Sequence, residues 1–228
     1  MKQGVLYGVG VGPGDPELLT LKAVRIVSAC DAVCFPEMKS AFEIAHTAMP
    51  EIADKEIIPL DLPMTRDAEV LRLGREKAAA RIMETLKSGK SVAFLTLGDV
   101  SIYSTFGYVR RIIAEQGYET QAIPGITSFC AAAAALGEDL ALWEEPLHII
   151  PASYPDLPGA LRMKGTRVLM KSGSAIPEVR ALLQDQGLAA AARVVENCGM
   201  ENQRVWKSVN DMGDAKTGYF TLIIIKDE

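Results

Sequence analysis

Short apolar runs alternate with stretches whose apolar positions recur every third or fourth residue, and this rhythm dominates the first half of the chain. GVLYGVGV at residues 4–11 predicts a strand, and PELLTLKAVRIVSA at 16–29 has the helical spacing that predicts a helix. DAVCF (31–35) predicts a second strand, residues 40–49 a short helix, and EIIPL (56–60) another extended piece. DAEVLRLGREKAAARIMETLK (67–87) predicts a long amphipathic helix, opened by Asp67 and closed near Gly89. SVAFLT, SIYSTFGYVRRIIAEQ and YETQAI then predict strand, helix and strand. Strands this continuously apolar are buried on both faces, so a mostly parallel sheet covered by helices is expected.

The texture changes around Pro124 and Gly125. ITSFCAAAAALG predicts a helix of small residues that packs closely against its neighbours. LHIIPA, RVLMK, RVVEN, RVWKSV and YFTLIIIK follow, the last of them close together, as in a mixed or antiparallel sheet. The expected fold is α/β with two lobes. Residues 1–124 form an N-terminal α/β domain carrying a glycine-rich loop, residues 125–228 a C-terminal α/β domain with a mixed sheet, and an active-site cleft lies between them.

The glycine-rich loop places Gly8, Gly10, Gly12 and Gly14 at every second position before Asp15 and Pro16. A dinucleotide fingerprint, G-x-G-x-x-G, fails in each frame, because positions 13, 15 and 17 are Pro, Asp and Glu. Asp15 and Glu17 also place negative charge where a diphosphate would meet the helix N-terminus. A phosphate-binding loop ending in Gly89-Lys90-Ser91 fails too, since position 84 is Glu where the leading glycine belongs. The loop suits close main-chain approach to a bulky flat ligand, with Asp15 capping the helix that Pro16 begins.

Charge and composition narrow the classes. A formal net charge of -5 argues against a dedicated nucleic-acid binder. No apolar run approaches the roughly 20 residues of a membrane span, and MKQGVLYGVG lacks a signal-peptide core, so a cytoplasmic location without a membrane partner is expected. Cys30, Cys34, Cys130 and Cys198 form no paired C-x-x-C units and read as small buried hydrophobes. His46 and His148 give little material for metal binding or a Ser-His-Asp triad, so no metal is expected.

Further segments fall just past predicted strand ends, where parallel-sheet folds bind ligands. They are LTLGDVSIYST (95–105), IPGITSF (123–129), VLMKSG (168–173) and VVENCGME (194–201). Together with GVGPGDPELLTLKA they stand in order from Gly4 to Lys226, and the set resembles the tetrapyrrole (corrin and porphyrin) methyltransferase family. TLGD-x-S-x-YST and PGITSFCAAAA-x-LG most resemble the branch that methylates C20 of precorrin-2. Val100 departs from that pattern, which usually has proline there.

The resemblance implies an S-adenosylmethionine site, with S-adenosylhomocysteine as product. Pro13 borders the donor; Leu97, Gly98 and Asp99 line its pocket; Ile102 packs on it. Thr127 and Ser128 contact the methionine part, while Met170 and the backbone near Gly199 approach the adenosine. The implied reaction is methyl transfer to C20 of precorrin-2 or cobalt-precorrin-2 in cobalamin biosynthesis, by a homodimer. Alternatives are methylation at another corrin position, action on ribosomal RNA or a diphthamide precursor, or a noncatalytic S-adenosylmethionine or tetrapyrrole binding module. The acidic chain disfavours RNA.

A sulfonium methyl is already activated, so positioning, which contributes roughly 7–11 kcal/mol, can replace a covalent nucleophile. A base is useful for the proton that leaves the methylated carbon. Asp15, Asp99 and Tyr103 are candidates, with Asp99 or Tyr103 preferred and solvent or a substrate carboxylate as alternatives. Lys39, Arg66, Arg110 and Arg111 are candidate partners for the substrate's carboxylates. The acidic stretch Glu138, Asp139, Glu144 and Glu145 is expected away from them.

Overall fold

The computed structural model describes residues 3–36, 40–65 and 67–227. Lys39 and Arg66 therefore lie outside the described residues. The chain divides into two compact units, Met1–Thr127 and Ser128–Glu228.

The first unit is built on five parallel strands: β1 (Leu6–Gly10), β2 (Ala32–Pro36), β3 (Glu56–Leu60), β4 (Val92–Thr96) and β5 (Thr120–Ile123). Their order is β3-β2-β4-β1-β5, and every pairing is parallel. The helices are α1 (Leu21–Ala29), α2 (Ser40–Ala48), α3 (Ala68–Lys87) and α4 (Phe106–Glu115). Asp67 caps α3, its carboxylate accepting from the Glu69 and Val70 amides at 2.9 and 3.1 Å. Ala78, Ala79, Ile82 and Leu86 form the buried stripe of α3 and join a core with Leu6, Phe94, Phe106 and Ile113. That stripe has the three-and-four spacing from which the helix was expected.

Two expected helices are shorter than their apolar patterns. Asp15 caps only a single 3-10 turn, Pro16–Leu18, by accepting from the Glu17 amide at 2.9 Å. Thr20 then takes the extended backbone of a cap, ψ 148°, and accepts from the Ala23 amide at 3.1 Å, so α1 starts afresh at Leu21. A second capping residue thus interrupts a run that hydrophobic spacing alone joins. Between 101 and 105, Tyr103 sits at φ 48°, which no right-handed helix accommodates, and α4 begins only at Phe106.

The second unit carries β6 (Leu147–Pro151), β7 (Thr166–Met170), β8 (Ala192–Glu196), β9 (Arg204–Trp206) and β10 (Thr221–Ile225), with α5 (Ser128–Leu136), α6 (Leu157–Ala160) and α7 (Ile176–Asp185). The order is β6-β7-β10-β8-β9. β6 and β7 are parallel, whereas β10 runs antiparallel to both β7 and β8, and β9 is antiparallel to β8. The sheet is mixed, and its central strand TLIII is buried at all five positions. Because β10 opposes both neighbours, the carboxyl ends of β7 and β8 share one edge. Arg167 on β7 is 2% exposed; its Nη1 donates to the Met163 carbonyl at 2.7 Å and to Asp227, which also accepts from the Gly165 amide.

Cys30, Cys34 and Cys198 are buried thiols, as expected, but Cys130 is exposed. It lies off the Phe129, Ala132 and Ala133 stripe that α5 buries. Among the described residues, no helix is long and apolar enough to cross a membrane.

Candidate active site

In the first sheet β1 and β4 are neighbours, yet the chain leaves β1 for β2 on one side and β4 for β5 on the other. Such a reversal opens a crevice past the carboxyl ends of the two strands. The loops that enter it are locked main chain to main chain. Gly12 and Gly98 form an isolated antiparallel bridge, with the Gly98 amide donating to the Gly12 carbonyl at 2.7 Å and the reverse bond at 3.3 Å. Both glycines are left-handed, at φ 80° and 73°.

Gly125, beyond β5, completes the crossing. A Cβ on Gly10 would lie 2.5 Å from the Gly98 carbonyl oxygen and 2.7 Å from Gly125 Cα. A Cβ on Gly125 would overlap the same Gly98 oxygen and lie 2.8 Å from Gly10 Cα. The nearest obstructing atoms are all backbone, so no side-chain rotation relieves the overlap. Three loops from distant parts of the sequence therefore meet at a contact that admits no side chain.

Asp99 fastens the crossing. One carboxylate oxygen accepts the Gly125 amide at 2.8 Å, and the other accepts the Ser101 amide at 2.8 Å together with the Ser101 hydroxyl. Partial burial pushes its proton affinity up, but the donations from Ser101 and Gly125 outweigh this and hold the carboxyl below the usual range. Tyr103 is 43% exposed, and the burial of the rest of its side chain raises the phenol above its ordinary value. At neutral pH the first group is an anion and the second a neutral donor.

Around this crossing the structure gathers Pro13, buried, and Leu97 and Ile102, half-buried. Val100, the departure from the resembled pattern, is 7% exposed and packs in the core with Phe94 and Phe106. The Thr127 hydroxyl, just past Gly125, is buried without a hydrogen-bond partner. A buried hydroxyl left unsatisfied is what a polar ligand would complete, so the residues present fit the methionine end of the expected donor.

In the second unit Ser128 opens α5, Met170 ends β7, and Gly199 lies in the turn after β8. Lys171 and Asn197, one residue past each strand, both have positive φ, 58° and 51°, as does Gly199 at 78°. The Gly199 amide donates to the Gln203 side-chain oxygen at 2.7 Å, so that donor is already engaged.

Among the candidate cations, Arg110 donates to the Thr120 hydroxyl at 3.3 Å, at the start of β5 and thus the opposite end of the sheet from the crossing. Arg111 is exposed on the same helix. Glu138 is paired to Arg193 at 3.0 Å. Ser101, Gly125 and Glu196 stood inside the quoted segments, but sequence reasoning gave none of them a role of its own: their partners are set by tertiary contacts that no local pattern shows.

The sequence pattern of the family described as Tetrapyrrole (Corrin/Porphyrin) Methylases matches residues 5–211. The chain belongs to that family of methyltransferases. It is 28% identical, over 99% of its length and 97% of the relative's, to the Cobalt-precorrin-2 C(20)-methyltransferase of Salmonella typhimurium. Over 73% of the chain and 72% of the relative it is 38% identical to the Probable cobalt-precorrin-2 C(20)-methyltransferase of Methanocaldococcus jannaschii. A solved Uroporphyrin-III C-methyl transferase from Thermus thermophilus, complexed with S-adenyl homocysteine, shares the fold with a TM-score of 0.70 at 22% identity, covering 98% of each chain.

Proposed function

We propose that this protein transfers a methyl group from S-adenosylmethionine to C20 of precorrin-2 or its cobalt complex, as a cytoplasmic homodimer in cobalamin biosynthesis. The observation that carries this reading is the end-to-end similarity to a relative named for that reaction. The unsatisfied Thr127 hydroxyl beside the glycine crossing supports the donor assignment.

When bound, the donor supplies a methyl carbon on a positively charged sulfur, open to attack by an electron-rich ring carbon. Pro13, Leu97 and Ile102 give apolar wall, and Gly98 gives main chain without a side chain in the way. Thr127 and Ser128 hydrogen-bond the methionine portion, and Met170 with the chain around Gly199 meets the adenosine. The rigid backbone crossing holds this wall fixed, so the reacting carbons meet in line without further ordering.

Asp99 serves this geometry as a clamp. Its oxygens are occupied by Ser101 and Gly125, and its lowered proton affinity makes it a poor acceptor for the ring proton. Tyr103, held neutral, can donate to the substrate but removes no proton in that state. Asp15, the third candidate, is engaged as the cap of the Pro16–Leu18 turn, so the proton passes to solvent or to a carboxylate of the substrate.

Incubation of the purified protein with methyl-labelled S-adenosylmethionine and either precorrin-2 or cobalt-precorrin-2 tests the reading. Label in a trimethylated tetrapyrrole is expected. Tight binding of both ligands without transfer would make the protein a binding module, and label in RNA would redirect the assignment.

A further inference from the structure

We infer that Glu196 is a positioning residue for the donor site, its buried carboxylate fixing the loops that follow β7 and β8. The inference rests on the assignment of Met170 and Gly199 to the adenosine of S-adenosylmethionine.

Glu196 is the last residue of β8 and is 2% exposed. It pairs across the sheet with Thr221 at the start of β10 and with Arg204 at the start of β9. Its Oε1 accepts the Gly218 amide, and its Oε2 accepts Arg204 Nε at 2.6 Å while Arg204 Nη2 completes the ion pair. The same Nη2 donates to the Lys216 carbonyl at 2.6 Å, and the guanidinium lies 5.0 Å from the Trp206 ring centroid. One carboxylate thus grips the 216–218 segment directly and through its arginine.

That segment leans on the turn after β7. A Cβ on Gly173 would overlap the Gly218 carbonyl, the Thr217 hydroxyl donates to the Gly173 carbonyl at 3.4 Å, and the Ser172 amide donates to the Thr221 carbonyl at 3.3 Å. On the other side the Asn197 amide donates to the Phe220 carbonyl at 3.0 Å, two residues before Gly199. Met170, with Lys171 beyond it in the left-handed region, and Asn197 likewise, are held in place from this network. Left-handed backbone at bulky residues persists only where the surroundings over-determine it.

Stability alone does not explain an acid here. Glu196 is buried although its arginine is half-exposed, so the carboxylate carries a desolvation cost that an apolar side chain would avoid, whereas its directional bonds specify one loop geometry. Two loops aimed at one ligand need that specification.

Isothermal titration of S-adenosylhomocysteine into the full-length wild type, E196Q and E196A, with melting curves alongside, tests this. Gln retains one carbonyl acceptor, so E196Q is expected to weaken binding about threefold to tenfold, and E196A about tenfold to a hundredfold. Turnover at saturating donor should stay within about threefold, so the loss appears in KM rather than in kcat. R204Q, altered on the half-exposed partner, gives the same readout where E196A does not fold. Lower melting temperatures with unchanged affinity in the folded variants would reduce Glu196 to a structural residue and overturn the inference alone. Absence of binding by the wild type would overturn the donor site itself.

Discussion

Asp99 is the residue on which a catalytic and a positioning account differ most. Its folded-state pKa lies below the ordinary carboxylate value of about 3.9, so its contribution to stability is complete above that value and disappears as pH falls through the lowered one. It has no titration to offer near neutrality. D99N keeps the shape but replaces one accepting oxygen by a donor, which faces either Gly125 or Ser101. The expected result is a rise of about tenfold to a hundredfold in KM for the donor, with the pH profile of kcat between pH 6 and 9 unchanged in form. A general base would instead show a fall of roughly 10²–10⁴ in kcat and a lost ionisation. The cysteines give a second check at this scale. Burial pushes Cys30 up to about 12 and also raises Cys34 and Cys198, while Cys130 is exposed. A thiol reagent at pH 7.5 should label one cysteine rapidly in the native protein, and all four of the sequence only after unfolding.

At the level of elements, the loop crossing and the Arg167 anchor make opposite predictions about activity. G125A forces a methyl group into the Gly98 carbonyl and the Gly10 backbone. Overpacking among immobile atoms costs about 1–3 kcal/mol, and the same displacement disrupts the donor wall, so melting temperature and donor affinity should fall together. D227A instead leaves the buried Arg167 guanidinium with the Met163 carbonyl. Because Asp227 is half-exposed, about 1–2 kcal/mol is the expected loss, a drop of roughly 2–8 °C, with the KM for the donor unchanged. The Asp227 carboxyl is held low by the Gly165 amide and by Arg167, so the margin between wild type and D227A should shrink as pH falls below about 4. Melting curves from pH 2 to 7 on both variants check these outcomes.

Across the whole molecule, what the sequence made legible follows the range of the interaction. Strand runs such as VAFLT and TLIII, and the α3 stripe ending at Leu86, are local patterns set by burial, and the structure has them where the periodicity predicts. The break at Thr20 was missed because two caps compete within one apolar run, and backbone strain at Tyr103 leaves no mark in composition. Strand order is a long-range property: the segments holding Gly10, Gly98 and Gly125 were expected at ligand-binding turns, but nothing in a local pattern shows their backbones in contact. The candidate donor residues were named through resemblance of motifs, and the structure adds the reason the turns at Gly10 and Gly125 need glycine. Glu196 stood within VVENCGME without a role of its own, since its partners Arg204 and Gly218 come from other segments. The claim on which the rest depends is that this fold presents a sulfonium methyl to one ring carbon with no residue taking part covalently. Its most direct test is carbon NMR of the product formed from [methyl-¹³C]S-adenosylmethionine and precorrin-2 or cobalt-precorrin-2. The account predicts a single new methyl signal coupled to C20 of the ring, whereas label at another ring position, or label held on the protein itself, would contradict it.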